Sequence, residues 1–523
     1  MRKQIEILDT TLRDGAQARN ITLSVDDKLN IAASLDMLGI STIEFGNPST
    51  GEREQEGFRR VRRHHFQKSR IAAFGATRRK DTPVEEDAGV RALDAVGTDT
   101  VVIFGKSWDL HVDHVLGTTR EENLRMIADT VAYFAARGRR VIYDAEHYFD
   151  GRRSDRDYAL STIRAAYEAG AQCITLCDTN GGTMPEEIGE ATREAAALFP
   201  VQIGIHCHDD CGLAVAGTQA AVLAGATQVQ GTFLGFGERC GNTKLTTLIP
   251  NLQLKLGYSC IPDENMPMLT TVARQIAEIA NISIPSHSPY IGSNAFTHKA
   301  GMHADGVLKL SRSFEHIAPE EVGNARRILT SEMSGRSALL HKIQQIAPEL
   351  TRESPETLRI IERLREAEQA GYSYDAAEAS FELMIRRETG KLPKFFDLVF
   401  YKTTGEQPYT GSLSSSAIVK VRVGEREAIN AAEGGGPVDA LEIALRKTLY
   451  EFYPRLAESK MCDLKVRVLN PEAAMGAKVR VLMTYSDGDA TWSTVGVSPD
   501  ILEACWLALS EAAEYKLVLD AKL

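Results

Sequence analysis

The chain reads as an α/β protein, a (β/α)8 TIM barrel followed by helical linker subdomains and a C-terminal α+β domain. Three observations predict this. The first 265 residues repeat a short β-rich run and an amphipathic helical stretch eight times. Polar, chemistry-bearing residues gather just past the ends of six of those runs. After residue 416 the composition changes and new alternating strands begin. At 523 residues the chain exceeds what one hydrophobic core holds, so a large unit with further modules is expected, divided at 1–265, 266–390 and 391–523.

The eight runs are Ile5–Leu8, Ser41–Phe45, Arg70–Phe74, Val101–Phe104, Val141–Tyr143, Cys173–Leu176, Val201–Ile205 and Gln228–Thr232. Intervals of roughly 25 to 40 residues leave room for one helix each, and eight strand–helix units close a barrel more readily than they fill an open sheet. The first helix shows the pattern. Ser24 is its N-cap with Asp27 at the capping-box position, Val25, Leu29, Ala32 and Leu35 share a face, and Gly39 stops it.

Apolar residues make up 43% and charged residues 25%, ordinary values for a globular protein, and no apolar run is long enough to span a membrane. The start, Met1-Arg2-Lys3-Gln4, leads directly into a strand pattern, so no signal peptide and a cytoplasmic location are expected. A formal charge of -11 excludes a general nucleic-acid binder, which requires a dense basic surface. The basic run Arg59 to Arg63 is a solvated helix face. Eight scattered cysteines form no disulfide framework, and most are expected to be buried small hydrophobes.

Ligands of such a barrel gather at the C-terminal ends of its strands. Those ends carry Asp9 to Gln17, Glu44 to Asn47, Asp144 to His147, Cys177 to Gly182, His206 to Asp209 and Gly235 to Asn242. His206 and His208 lie two apart on a strand and share a face, where they can grip one divalent ion; a hydrogen-bonded histidine pair is the alternative for these two taken alone. With Asp14 they make two imidazoles and a carboxylate, a set suited to a catalytic metal with open positions, whether magnesium, manganese or zinc. An α-keto acid fills two such positions, and Arg13 can neutralise an alkoxide developing beside them. Proton transfer falls to Glu146 or a histidine. Such a site makes or breaks a carbon–carbon bond at a keto acid.

The stretch Leu8 to Gln17 (LDTTLRDGAQ), the HCH of residues 206 to 208 and GERCGN at 237 to 242 resemble the metal-dependent acyl transferases that include the isopropylmalate, homocitrate and citramalate synthases. Within that group, FGKSWDLH at 104 to 111, YDAEH at 143 to 147 and FTHKAGMHAD at 296 to 305 look most like citramalate synthases of the longer form. The resemblance implies condensation of acetyl-CoA with pyruvate and water to (R)-citramalate and CoA, an entry to isoleucine. It implies Asp14, His206, His208 and Asn242 as metal-site residues, Arg13 as stabiliser of enolate and alkoxide, and Thr179 as the hydroxyl receiving the keto-acid carboxylate. Glu146 and His303 become the acid–base pair, and His303 sits in a Gly- and His-rich segment that a lid can use. The chain departs from the family in one place, with Phe314 where members often carry a tyrosine. Pyruvate, the smallest keto acid of the group, requires bulky residues closing the pocket, and Phe45, Phe74, Phe104 and Tyr143 are the candidates.

Ile284 to Pro289 reads as a linker, and residues 351 to 389 as two charged helices parted near Gly371. Leu358, Ile361 and Leu364 on the first, with Phe381 and Met384 on the second, form stripes that pack either on a partner subunit or on the chain's own core. Beyond 416, Ala417–Val423 and Cys462–Val468 read as strands, and the Gly434-Gly435-Gly436-Pro437 turn resembles the start of a helix in the family's regulatory domain. A homodimer or higher homo-oligomer is expected, with isoleucine as a feedback inhibitor. A lyase or aldolase on the same barrel, a non-catalytic metabolite sensor and a 2-isopropylmalate synthase acting on 2-oxoisovalerate are the competing readings. The additional 250 residues argue against the first, and the complete rim argues against the second.

Overall fold

The computed structural model of the chain describes residues 2–298, 301–328, 336–374, 377–405, 414–469, 477–488 and 490–522. Eight parallel strands close into a barrel: β1 (Glu6–Asp9), β2 (Thr42–Gly46), β3 (Arg70–Ala76), β4 (Thr100–Lys106), β5 (Arg140–Glu146), β6 (Cys173–Asp178), β7 (Gln202–Cys207) and β8 (Gln228–Gly231). Closure is made between β1 and β8, with Glu6 opposite Gln228 and Asp9 opposite Gly231. The first helix, Val25–Leu38, starts on a complete capping box. The Asp27 amide donates to Ser24 Oγ at 3.1 Å and the Ser24 amide to Asp27 Oδ2 at 2.7 Å, so the shorter aspartate serves where glutamate is usual. Gly39 ends the helix at φ 96°, a left-handed turn open to glycine at little cost.

The period of two along each strand decides what faces the barrel axis. Leu8, Ala72, Val102, Ile142 and Cys173 form an apolar plug inside the barrel, while Ile7, Ile43, Val101, Ile103, Val141, Tyr143, Ile174, Ile205 and Val229 belong to the larger core under the helices. Two residues further along the inward positions the side chains turn polar, with Glu44, Asp144, Thr175 and Gln230 all buried. One more step brings Glu146 and His206 to the rim. The same parity separates the four bulky candidates. Phe74 and Phe104 follow Ala72 and Val102 inward, whereas Phe45 packs outward on Phe58 and Tyr143 is buried in the helix-facing core.

The chain divides into two compact units, Met1–Phe296 with Ile317–Arg326, and Thr297–His316 with Arg327–Leu523. The second unit holds helices Arg336–Ile346, Pro355–Ala370 and Glu378–Glu388 and then repeats one motif, three antiparallel strands and a helix, twice. The first copy is β9 (Asp397–Gly405), β10 (Ser415–Val423), β11 (Arg426–Gly434) and helix Pro437–Tyr450, which begins on Gly436 and Pro437 as the turn implied. The second is β12 (Lys460–Val468), β13 (Val479–Ser486), β14 (Thr491–Ser498) and helix Ile501–Ala521.

Phe381 and Met384 join the chain's own core with Leu364, so that stripe packs internally. The stripe expected on the helix before it is out by a residue. Thr357, Ile360 and Leu364 are buried and Leu358 is 57% exposed. Residues spaced three apart step around a helix by about 60° each time, whereas the three-then-four spacing of 357, 360 and 364 stays on one face. Among the cysteines, Cys173, Cys177, Cys207, Cys260 and Cys505 are buried, Cys211, Cys240 and Cys462 are exposed, and all eight are free thiols.

Candidate active site

Barrel closure brings the loops of β7, β8 and β1 side by side, and with them Asp14, His206, His208 and Asn242. Asp14 Oδ2 lies 3.4 Å from His206 Nε2 and 3.9 Å from His208 Nε2, and the two imidazole nitrogens are 3.4 Å apart. Two atoms each bonded to one ion at about 2.1 Å stand roughly 3.0 Å apart at a right angle and roughly 3.4 Å apart at the tetrahedral angle, so a small contraction lets these three share a cation. Asn242 Nδ2 is 3.2 Å from His206 Nε2. The buried oxygens Asp14 Oδ1 and Asn242 Oδ1 have no hydrogen-bond partner among the described residues. Polar atoms left that way are costly, and a cation among them removes the cost. Bare Gly237 approaches both; a Cβ there would sit 2.0 Å from Asn242 Oδ1 and 3.5 Å from Asp14 Oδ1. The donor set therefore fits a divalent metal.

The histidines are prepared for that task by what lies behind them. Gln230 Nε2 donates to Asp144 Oδ1 at 2.9 Å and to Thr175 Oγ1 at 3.1 Å, which fixes the orientation of its amide. Its Oε1, 3.0 Å from His206 Nδ1, then accepts a hydrogen bond from Nδ1–H and leaves the lone pair of Nε2 facing the other ligands. Burial, reinforced by His206, pushes the His208 imidazole down to about 3, so it is neutral and able to ligate. Burial opposes the charge on Asp14, but Arg13 and the neighbouring histidines together outweigh it and hold the carboxyl well below the usual range.

Arg13 is locked on three sides. Its Nη1 is 3.0 Å from Asp14 Oδ2, its Nε donates to Glu44 Oε1, and its guanidinium carbon stands 3.8 Å over the Phe74 ring. Phe74 in turn stacks on Phe104 with centroids 5.0 Å apart. Glu44 is pushed up to about 7 by burial against the pull of Arg13. Arg13, Asp14, Phe74, Phe104, Asp144, Glu146, Thr179, His206 and His208 line one cavity of about 190 Å³, the volume of a small acid with space to spare. Glu146 enters it from β5 with Oε2 2.5 Å from Lys106 Nζ. The Thr179 hydroxyl accepts the His147 amide at 2.9 Å.

His303 is not among these residues. It is exposed on helix Gly301–Lys309 in the other compact unit, where its ring stacks on Phe314 with centroids 4.3 Å apart. The residue that departs from the family pattern thus supports the histidine ring by stacking, without a hydroxyl. Gln230, Lys106 and His147 were not singled out from sequence. Gln228-Val229-Gln230 did carry a signal, since two amides on the inward face of a barrel strand require buried partners.

A polar rim above an apolar plug, with three ligating side chains at the closure, is the layout of a metal-candidate barrel enzyme, and the family comparisons agree. The HMGL-like family model matches residues 4–276, a homocitrate synthase post-HMGL domain-like model residues 290–371, and the LeuA allosteric (dimerisation) domain residues 375–517. The chain is 46% identical over 522 residues to the (R)-citramalate synthase of Aquifex aeolicus, covering 99% of each protein. It is 47% identical to that of Synechocystis sp., over 98% of this chain and 96% of the relative, and 43% identical to that of Geobacter sulfurreducens, over 98% and 97%. The chain belongs to the (R)-citramalate synthase family of HMGL-like enzymes.

Proposed function

We propose that the chain condenses acetyl-CoA with pyruvate and water to give (R)-citramalate and CoA, in the branch leading to isoleucine. The observation that carries this reading is the small cavity in which Arg13 and the ligand cluster face a wall of stacked Phe74 and Phe104. Asp14, His206, His208 and Asn242 would hold a divalent ion, magnesium, manganese or zinc, which when bound supplies Lewis-acid polarisation of the keto group. Thr179 donates its hydroxyl to the keto-acid carboxylate. A methyl proton of acetyl-CoA leaves through Glu146 and His303 acting together, and the resulting carbanion carbon attacks C2 of pyruvate. Arg13, already held by Asp14 and Glu44, faces the negative charge that grows on the former keto oxygen. Protonation of that oxygen and hydrolysis of the thioester by water give the hydroxy diacid and the free CoA thiol.

The test is direct competition among keto acids at equal concentration, with the CoA thiol trapped and the organic acid identified by mass. Pyruvate is expected to lead, because one or two extra methyl groups against a rigid aromatic wall cost about 1–3 kcal/mol. Phe74→Ala is expected to narrow the preference for pyruvate over 2-oxoisovalerate by about tenfold or more while lowering all rates, since Arg13 loses the ring beneath it. A wild-type rate with 2-oxoisovalerate at or above that with pyruvate would reassign the substrate and leave the condensation chemistry intact.

We propose the division at 1–265, 266–390 and 391–523 into catalytic, linker and regulatory parts; the three family models follow one another along the chain in the same order, with the third beginning at residue 375. Free thiols at exposed Cys211, Cys240 and Cys462 support a reducing compartment, the cytoplasm. We read the C-terminal domain as the dimerisation element and as the receptor for isoleucine. Leu464, Val466 and Val468 pair across to buried Met483 and Val481 and to Val479, so they share the helix-covered face of their sheet, yet they are 39%, 48% and 50% exposed. Helix Ile501–Ala521 packs over β13 and β14 and, among the described residues, leaves that face of β12 open. A second copy of the chain is the natural cover for an apolar edge of this kind. Val466→Lys is expected to shift the protein to monomer in sedimentation without loss of helical content; an unchanged oligomer would put the contact elsewhere.

A further inference from the structure

Two residues that hold uncommon backbone conformations meet at one residue, Thr179. His147 has φ 56° and ψ 34° and Arg239 has φ 55°, left-handed angles that residues with a Cβ adopt only when their surroundings impose them. The His147 amide donates to Thr179 Oγ1 at 2.9 Å, and Arg239 Nη2 donates to the Thr179 carbonyl at 2.6 Å while its guanidinium is clamped on Asp210 at 2.8 and 2.9 Å. Thr179 is therefore gripped at both its main chain and its hydroxyl.

What imposes the turn at His147 is visible around its ring. The imidazole lies 4.2 Å from the His111 ring and 5.6 Å from the Trp108 ring, and its Nδ1 is 3.1 Å from Asp150 Oδ2, which also accepts from Asn180 Nδ2 at 3.0 Å. Trp108 and His111 come from the FGKSWDLH stretch and stack on each other at 5.1 Å. That motif thus forms a wall against which the strand end of β5 turns sharply away from Glu146.

We propose that His147 is a positioning residue for substrate binding, acting through Thr179. A threonine hydroxyl has one proton and two lone pairs. With one lone pair occupied by the His147 amide, rotation about the C–O bond is restricted, and the proton is directed to the cavity that Thr179 lines. An acceptor arriving there, such as a carboxylate, meets a donor already aimed. The end of β5 presents the amide, and the left-handed turn at His147 lets the chain pass from it into helix Tyr148–Ser154 without moving that end; an extended or helical residue 147 would displace one or the other. Arg239 holds the other side of the same residue and keeps the loop after β6 from retreating.

The inference rests on Thr179 receiving the keto-acid carboxylate, and the test separates the two. His147→Gly and His147→Ala both lack the ring and differ only by a Cβ, which glycine omits and which opposes the left-handed turn in alanine. Pyruvate KM is expected to be about three- to tenfold higher in the alanine variant than in the glycine variant, with kcat of the two agreeing within about twofold. In a Thr179→Val background, which itself raises KM, the alanine–glycine difference is expected to vanish, because the amide no longer has a hydroxyl to aim. Equal KM values for the two His147 variants, or a difference that persists with Thr179→Val, would overturn the positioning role. An unchanged KM in Thr179→Val alone would overturn the assignment of Thr179 and the inference with it. Circular dichroism and melting of each variant identify any that fail to fold. If alanine fails, His147→Asn, which tolerates the left-handed region, against His147→Ser gives the same comparison.

Discussion

Asp14→Asn is expected to lower kcat/KM by about 10³-fold or more and to remove most divalent-metal affinity while leaving the barrel folded. Asp14 Oδ2 is the atom shared by both imidazoles and by Arg13, so its charge serves the ion and the guanidinium at once. Asparagine preserves shape and hydrogen bonding but removes that charge, and Arg13 keeps its bond to Glu44, which limits the damage to stability. The measurement that isolates the metal is independent of turnover. A ligand at about 100 times its Kd stabilises the native state by about 2.7 kcal/mol, and the wild-type protein is expected to melt about 5 °C higher in excess Mn²⁺. Asp14→Asn is expected to show little of that shift. A variant that binds Mn²⁺ calorimetrically as tightly as the wild type would remove Asp14 from the ligand set.

Glu146→Gln is expected to cut turnover by about 10²- to 10⁴-fold, the range of about 3–5 kcal/mol attributed to a positioned acid or base. Here metal affinity is expected to persist, because Glu146 touches none of the ligands and is instead paired with Lys106. Glutamine matches the carboxyl in size but cannot take a proton. In deuterated buffer the methyl group of acetyl-CoA is expected to exchange far more slowly in the variant than in the wild-type enzyme. Wild-type exchange with lost condensation would move Glu146 from deprotonation to a later step. His303→Ala is the companion measurement, and the stacking of His303 on Phe314 makes Phe314→Ala a milder perturbation of the same group.

Much of the site was legible from residue order because a barrel converts order into place. Strand parity put His206 and His208 on one face, and closure of an eight-stranded sheet made the first and last strands neighbours, so Asp14 had to lie near them. The same parity was available for Phe45 and Tyr143 and would have turned both outward: Tyr143 precedes inward Asp144, and Phe45 follows inward Glu44. Other relations depend on partners scattered over the chain. That Gln230 sets the proton position on His206 depends on Asp144, 86 residues away, and on Thr175, 55 residues away. No local pattern records which amide oxygen faces which ring. His147 illustrates the limit in another way, since nothing in Tyr-Asp-Ala-Glu-His marks a left-handed histidine; Trp108, His111 and Asp150 impose it from outside.

The sequence by itself determined the barrel, the strand ends that carry chemistry, and the kinds of group gathered there. These follow from hydrophobic period and residue type, which are local properties that each strand carries with it. Tertiary structure alone decided the orientation of Arg13 between Asp14, Glu44 and Phe74, the tautomer of His206, the clasp on Thr179 and the uncovered edge of β12. Each of these depends on distances and angles between side chains far apart in the chain, and such distances exist only after the elements have packed.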